Sequence, residues 1–136
     1  MTPADVRPSL ITGNHQMDAE HALQLGLLRE LLDSLEAGDR PAALEVFERL
    51  EDFAGAHFLA EELLMRLHSY PRYEAHAAEH AELVEALRSL RDRLSTGEAA
   101  ALLDEVDAFA RRFLAHVATA DTALGAFQRS EAAAAP

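Results

Sequence analysis

A chain of 136 residues, 49% of them hydrophobic, is long enough for one domain with one core and too apolar to be disordered. Its 24 acidic against 12 basic residues leave a formal charge of −12, which argues against nucleic acid and anionic membrane as partners, since both need a basic face. The absence of cysteine excludes disulfides, thiolate metal sites and cysteine catalysis; no apolar run reaches membrane-spanning length, and no signal-peptide hydrophobic region opens the chain, so a cytoplasmic location is expected.

Residues 1–16 hold two prolines and Gly13 and predict an extended N-terminal arm. A first helix follows, capped by Asn14 or Asp18, with His21, Leu25, Leu28, Leu32 and Leu35 at the three-four spacing of a buried stripe. Gly38 ends it. Asp39 caps a second helix, which tolerates Pro41 in its first turn and carries Val46, Leu50, Phe53, His57, Glu61 and Leu64 inward. Ser69-Tyr70-Pro71 breaks that helix, because proline disfavours a helical residue before it and has no N–H to donate. A third helix over 73–95 carries Tyr73, His76, His80, Leu83, Leu87, Leu90 and Leu94 on one face. Ser95 and Glu98 fit a capping box for a fourth, whose stripe runs Leu102, Val106, Phe109, Phe113, His116, then Ala120 or Asp121, then Leu124. The Ala-rich tail over 130–136 reads as frayed and disordered. With no strand pattern and no Gly-rich phosphate loop, the fold class is all-α: an up-down-up-down antiparallel four-helix bundle over 17–129.

Every one of the four stripes contains a histidine. His57 with Glu61, and His76 with His80, are spaced i,i+4, so each pair leaves one face of its helix a turn apart. Taken alone, each has a plain reading as a core histidine or a solvated surface pair. Together, five histidines and two carboxylates at inward positions would be costly to bury unpaired, and a shared metal centre accounts for all seven. Imidazole and carboxylate without thiolate suit iron or manganese, and seven donors exceed a four-coordinate zinc site. Two ions with bridging carboxylates fit the count. His116 and Asp121 are five apart, roughly 140° on an ideal helix, so a π-bulge or distorted turn is needed to bring both inward. His15 and His68 read as surface residues, Met17 and Met65 as core, and Tyr70 as packing in the hairpin corner.

These pieces, in order, carry a resemblance. They are Thr12-Gly13-Asn14 with Met17-Asp18-Ala19-Glu20-His21, then His57-Phe58-Leu59-Ala60-Glu61-Glu62, Met65 with Tyr70-Pro71, His76-Ala77-Ala78-Glu79-His80, and His116-Val117-Ala118-Thr119-Ala120-Asp121. Over about residues 10–125 the chain resembles the hemerythrin family, specifically its single-domain bacterial members. The resemblance implies a non-haem di-iron centre. His76, His80 and His116 would hold one iron, His21 and His57 the other, with Glu61, Asp121 and an oxo or hydroxo group as bridges. Three histidines and three bridges fill an octahedron, whereas two histidines leave one position for dioxygen, or for azide or a similar small anion in the oxidised state. The implied function is reversible dioxygen binding, for storage, transport or sensing, without catalysis. Leu25, Leu28, Leu64, Phe113 and Val117 are the candidates for a dry pocket around that position. The chain departs from the family pattern at Arg112, where relatives often carry tryptophan, and at Phe113, usually aliphatic. Two readings compete with oxygen binding: a di-iron enzyme handling peroxide, oxygen or nitric oxide, and a signalling module in which oxygen or redox state alters a partner surface.

Overall fold

The computed structural model of the chain describes residues 12–97 and 99–134. Most of the expected arm therefore lies outside the described residues. Its last part does not match: α1 (His15–Glu36) takes in the last two residues assigned to the arm. Asn14 caps α1 by accepting from the Met17 amide at 3.0 Å, and Asp18 is used differently, accepting from the Thr12 amide and hydroxyl at 2.8 and 2.7 Å. Gly38, at φ +71°, turns the chain out of α1 in the left-handed region that glycine adopts without strain.

Helix α2 (Arg40–Leu67) starts under an Asp39 cap with proline in its first turn, as the sequence predicts. Ser69, at φ +51°, and the buried Tyr70 make the corner into α3 (Tyr73–Thr96). The expected capping box does not form. α3 runs on through Ser95, whose hydroxyl donates to the Arg91 carbonyl one turn back, while Glu98 lies outside the described residues. A single three-ten turn at Ala99–Leu102 leads into α4 (Leu103–His116), which has no side-chain cap.

A five-residue π-helical stretch, Val117–Asp121, joins α4 to α5 (Thr122–Ala134). Helical geometry thus continues to Ala134 through residues the sequence assigned to a disordered tail. Alanine is the strongest helix former, and the exposed Ala132–Ala134 need no packing partner to extend a helix already nucleated.

α1 packs on α2 and α4, and α3 on α2 and α4, so the four helices close into a bundle. Its interior is layered. Leu25, Leu28, Leu31, Phe47, Leu50, Leu87, Val106 and Phe113 belong to one large apolar cluster, while Met17, Met65, Tyr70 and Leu124 form a smaller one at the other end. Phe53, expected inward, is only half-buried; Phe47, Ala54 and Phe58 take the inner face of α2 instead. Among the described residues there is no strand, and no helix is long and apolar enough to cross a membrane. Between the two apolar clusters lies a polar layer.

Candidate metal centre

That layer contains His21 from α1, His57 and Glu61 from α2, His76 and His80 from α3, His116 from the end of α4, and Asp121 from the π turn. None is more than 3% exposed. One ligand atom from each of Glu61, His76, His80, His116 and Asp121 lies within 4.8 Å of all the others, and the same holds for His21, His57, Glu61 and Asp121. Both carboxylates belong to both groups. Glu61 Oε1 stands 3.0 Å from His80 Nε2 and 3.2 Å from His76 Nε2, and its Oε2 stands 3.0 Å from His57 Nε2 and 3.6 Å from His21 Nε2. Asp121 Oδ1 is 2.8 Å from His76 Nε2 and 3.2 Å from His116 Nε2, with Oδ2 3.0 Å from His21 Nε2. The π turn carries this last residue, since its extra residue per turn brings positions five apart onto one face.

Of these close approaches, only that of His76 Nε2 to Glu61 Oε1 has hydrogen-bond geometry. The Nε2 atoms of His21, His57, His80 and His116, Oε2 of Glu61 and both Asp121 oxygens are buried without a hydrogen-bond partner. So many inward-facing orphan donors in one place fit a shared cation, and imidazole with carboxylate is a donor set for iron or manganese.

The outer ring nitrogens follow a rule that sequence reasoning missed. His57 Nδ1 meets the Glu20 carboxylate at 2.7 Å, His80 Nδ1 meets Glu62 at 2.9 Å, and His116 Nδ1 meets Glu79 at 2.9 Å. Each glutamate holds the histidine of the next helix, so that Nδ1–H donates to the carboxylate and Nε2 faces inward as the free donor. In sequence each glutamate is one position from a donor residue of its own helix, but its partner is known only once the helices are paired. Phe58, also missed, stacks on the His80 ring at 4.0 Å and 9°. His21 and His76 have no such partner at Nδ1.

In the metal-free protein the layer holds charge. Burial works against ionised imidazole, but the adjacent Asp121 and Glu61 carboxylates, which attract and can accept from a protonated ring, outweigh it and raise His21 and His76 from 6.5 to about 9. Burial likewise favours neutral carboxyls, yet the surrounding imidazoles hold Glu61 and Asp121 well below the usual range. The imidazoliums stabilise the fold fully below their unfolded value of 6.5 and lose that contribution as pH rises through about 9, whereas the carboxylates contribute above their unfolded values of 4.5 and 3.8 and lose it on acidification. The melting temperature of metal-free protein should therefore fall between pH 6.5 and 9. A flat profile over that range, followed by calorimetry, contradicts this charge assignment.

The remaining expected residues divide. Leu25, Leu28, Phe113 and Val117 lie in the large apolar cluster, and the Phe113 ring stands at 73° to that of His21 with centroids 6.1 Å apart. Leu64 does not join them. It is half-buried against the smaller cluster and lines a solvent-open cavity of about 280 Å³ with Met17, Glu20, His57 and Glu61. The candidate pocket is therefore split by the polar layer. His15, His68 and Arg112 are exposed, and Arg112 pairs with Glu82 at 3.0 Å.

Fold and site together define a four-helix bundle with a buried histidine–carboxylate cluster able to hold metal. The model of the hemerythrin HHE cation binding domain matches residues 12–127, and the chain belongs to that family. It is 30% identical over 82 residues to a bacteriohemerythrin of Methylococcus capsulatus, covering 60% of this chain and 63% of the relative. To one of Pseudomonas aeruginosa it is 30% identical over 89 residues, covering 65% and 58%, and to one of Aquifex aeolicus 31% over 90 residues, covering 65% and 69%. The match thus spans under two thirds of the first two relatives.

Proposed function

We propose that the centre holds two iron ions, one on His76, His80 and His116 and one on His21 and His57, bridged by Glu61, Asp121 and an oxo or hydroxo group, and that it binds dioxygen reversibly. The observation that supports this best is the uneven division of imidazoles. Three surround the shared carboxylates on one side and two on the other. When bound, iron supplies the redox electrons that dioxygen uptake needs.

The chain's own residues do the rest. Glu20, Glu62 and Glu79 fix three rings with Nε2 inward, so these donors need no reorganisation on metal binding. Glu61 and Asp121 belong to both donor groups, so each would be shared between the two ions. Leu25, Leu28, Phe113 and Val117 back the layer with apolar surface on one side, while the solvent-open cavity beside Met17, His57, Glu61 and Leu64 gives a small ligand a way in from the other. On that side the oxidised protein would take azide or a similar small anion.

Metal analysis after anaerobic loading tests the assignment. The expected result is two irons per chain. Saturation at one ion, or preference for a single tetrahedral zinc, contradicts it.

A further inference from the structure

Outside the seven donors, the fully buried polar side chains among the described residues are Thr12 and Gln24. Thr12 is accounted for, since its hydroxyl donates to Asp18 at 2.7 Å. Gln24 is not. It is 2% exposed and its amide oxygen has no hydrogen-bond partner. A buried amide oxygen left unpaired destabilises the fold, and an apolar side chain of similar volume would avoid that cost.

The position of Gln24 gives the cost a reason. It leaves α1 three residues after His21, on the same side of the helix and about one turn along. Leu25 and Leu28 continue that face into the large apolar cluster. By spacing, Gln24 follows by about one turn a histidine that belongs to the two-imidazole group.

We propose that Gln24 is a specificity-determining residue that hydrogen-bonds a small polar or anionic ligand at the metal held by His21 and His57; this rests on the di-iron reading above. A primary amide suits that task because it offers N–H donors to an anion and a carbonyl acceptor to a protonated ligand, without adding charge to the wall. An apolar wall alone selects only by size. With Gln24 the pocket also selects by hydrogen bonding, and rejects less polar competitors of the same shape.

A rival role is built into the same geometry. His21 Nδ1 is also unpartnered, and Gln24 could serve it as the glutamates serve the other rings. The two roles separate by experiment. Gln24→Met and Gln24→Leu are loaded with iron, oxidised, and titrated with sodium azide by visible absorption beside the parent, and the metal-free forms are melted. The expected result is two irons in both variants, azide dissociation constants raised about tenfold, and metal-free melting temperatures above the parent's. Unchanged azide affinity, or metal-free variants that melt below the parent, overturns the proposal. Loss of iron with azide affinity intact at the remaining sites also overturns it, making Gln24 a positioning partner of His21. A parent that holds iron but gives no azide band overturns this proposal together with the ligand-binding reading, whereas parent and variants that bind azide alike overturn the role of Gln24 alone.

Discussion

Glu61→Ala should strip the protein of metal and cost the fold about 3–5 kcal/mol, the loss seen when one partner of a buried charged cluster is removed. No other side chain meets so many of the donors: Glu61 approaches Nε2 of His21, His57, His76 and His80 between 3.0 and 3.6 Å. In the metal-free protein its removal leaves His21 and His76 with Asp121 alone among the described carboxylates, and His57 and His80 with no carboxylate at Nε2. In the loaded protein it removes a donor common to both groups, and metal binding is coupled to folding. His15→Ala and His68→Ala, both at exposed positions, should change neither metal content nor melting temperature. Metal retained by Glu61→Ala, or lost from His68→Ala, contradicts the assignment.

The second large effect is expected at Phe113. The ring is 2% exposed and lies against the His21 ring, so Phe113→Ala opens a cavity beside the two-histidine side. Truncating a buried phenylalanine costs about 3–5 kcal/mol. Here it should also admit water and speed oxidation of the reduced iron-loaded protein, followed by absorption in air. Arg112→Ala is the neighbouring control. Arg112 is exposed and its pair with Glu82 is worth at most about 1 kcal/mol, so oxidation should keep the parent rate. Equal oxidation rates for Phe113→Ala and the parent would show that Phe113 does not shield the centre.

What could be read ahead of the structure was whatever helical periodicity encodes. The i,i+4 pairs of α2 and α3 and the leucine stripes placed the bundle and brought the seven donors to one layer. The five-residue step from His116 to Asp121 even required the π turn that is found at Val117–Asp121. Other features depend on which helix stands beside which, and no single-helix pattern holds that. The glutamate-to-histidine links run from α1 to α2, α2 to α3 and α3 to α4, so no single helix assigns Glu20, Glu62 or Glu79 a partner until the helices are paired. Leu64 shares a stripe with Glu61 yet falls on the far side of the polar layer from Leu25 and Phe113, because a stripe does not say where along the bundle a layer divides it. Local chemistry misled at Ser95, where bonding back to the preceding turn won over capping the next helix. Gln24 was passed over because a polar residue beside a leucine stripe reads as the edge of a solvated face.

The most direct test of reversible dioxygen binding is a cycle of visible absorption spectra on the reduced, iron-loaded protein. The anaerobic solution should be nearly colourless and should develop a visible charge-transfer band on exposure to air. That band should fade when argon removes oxygen and return with air, over several cycles, with the iron content unchanged. An enzyme that consumes oxygen behaves otherwise, passing through one turnover and remaining oxidised. If the first argon purge leaves only the oxidised spectrum, reversible binding is contradicted and oxidase or peroxidase chemistry takes its place.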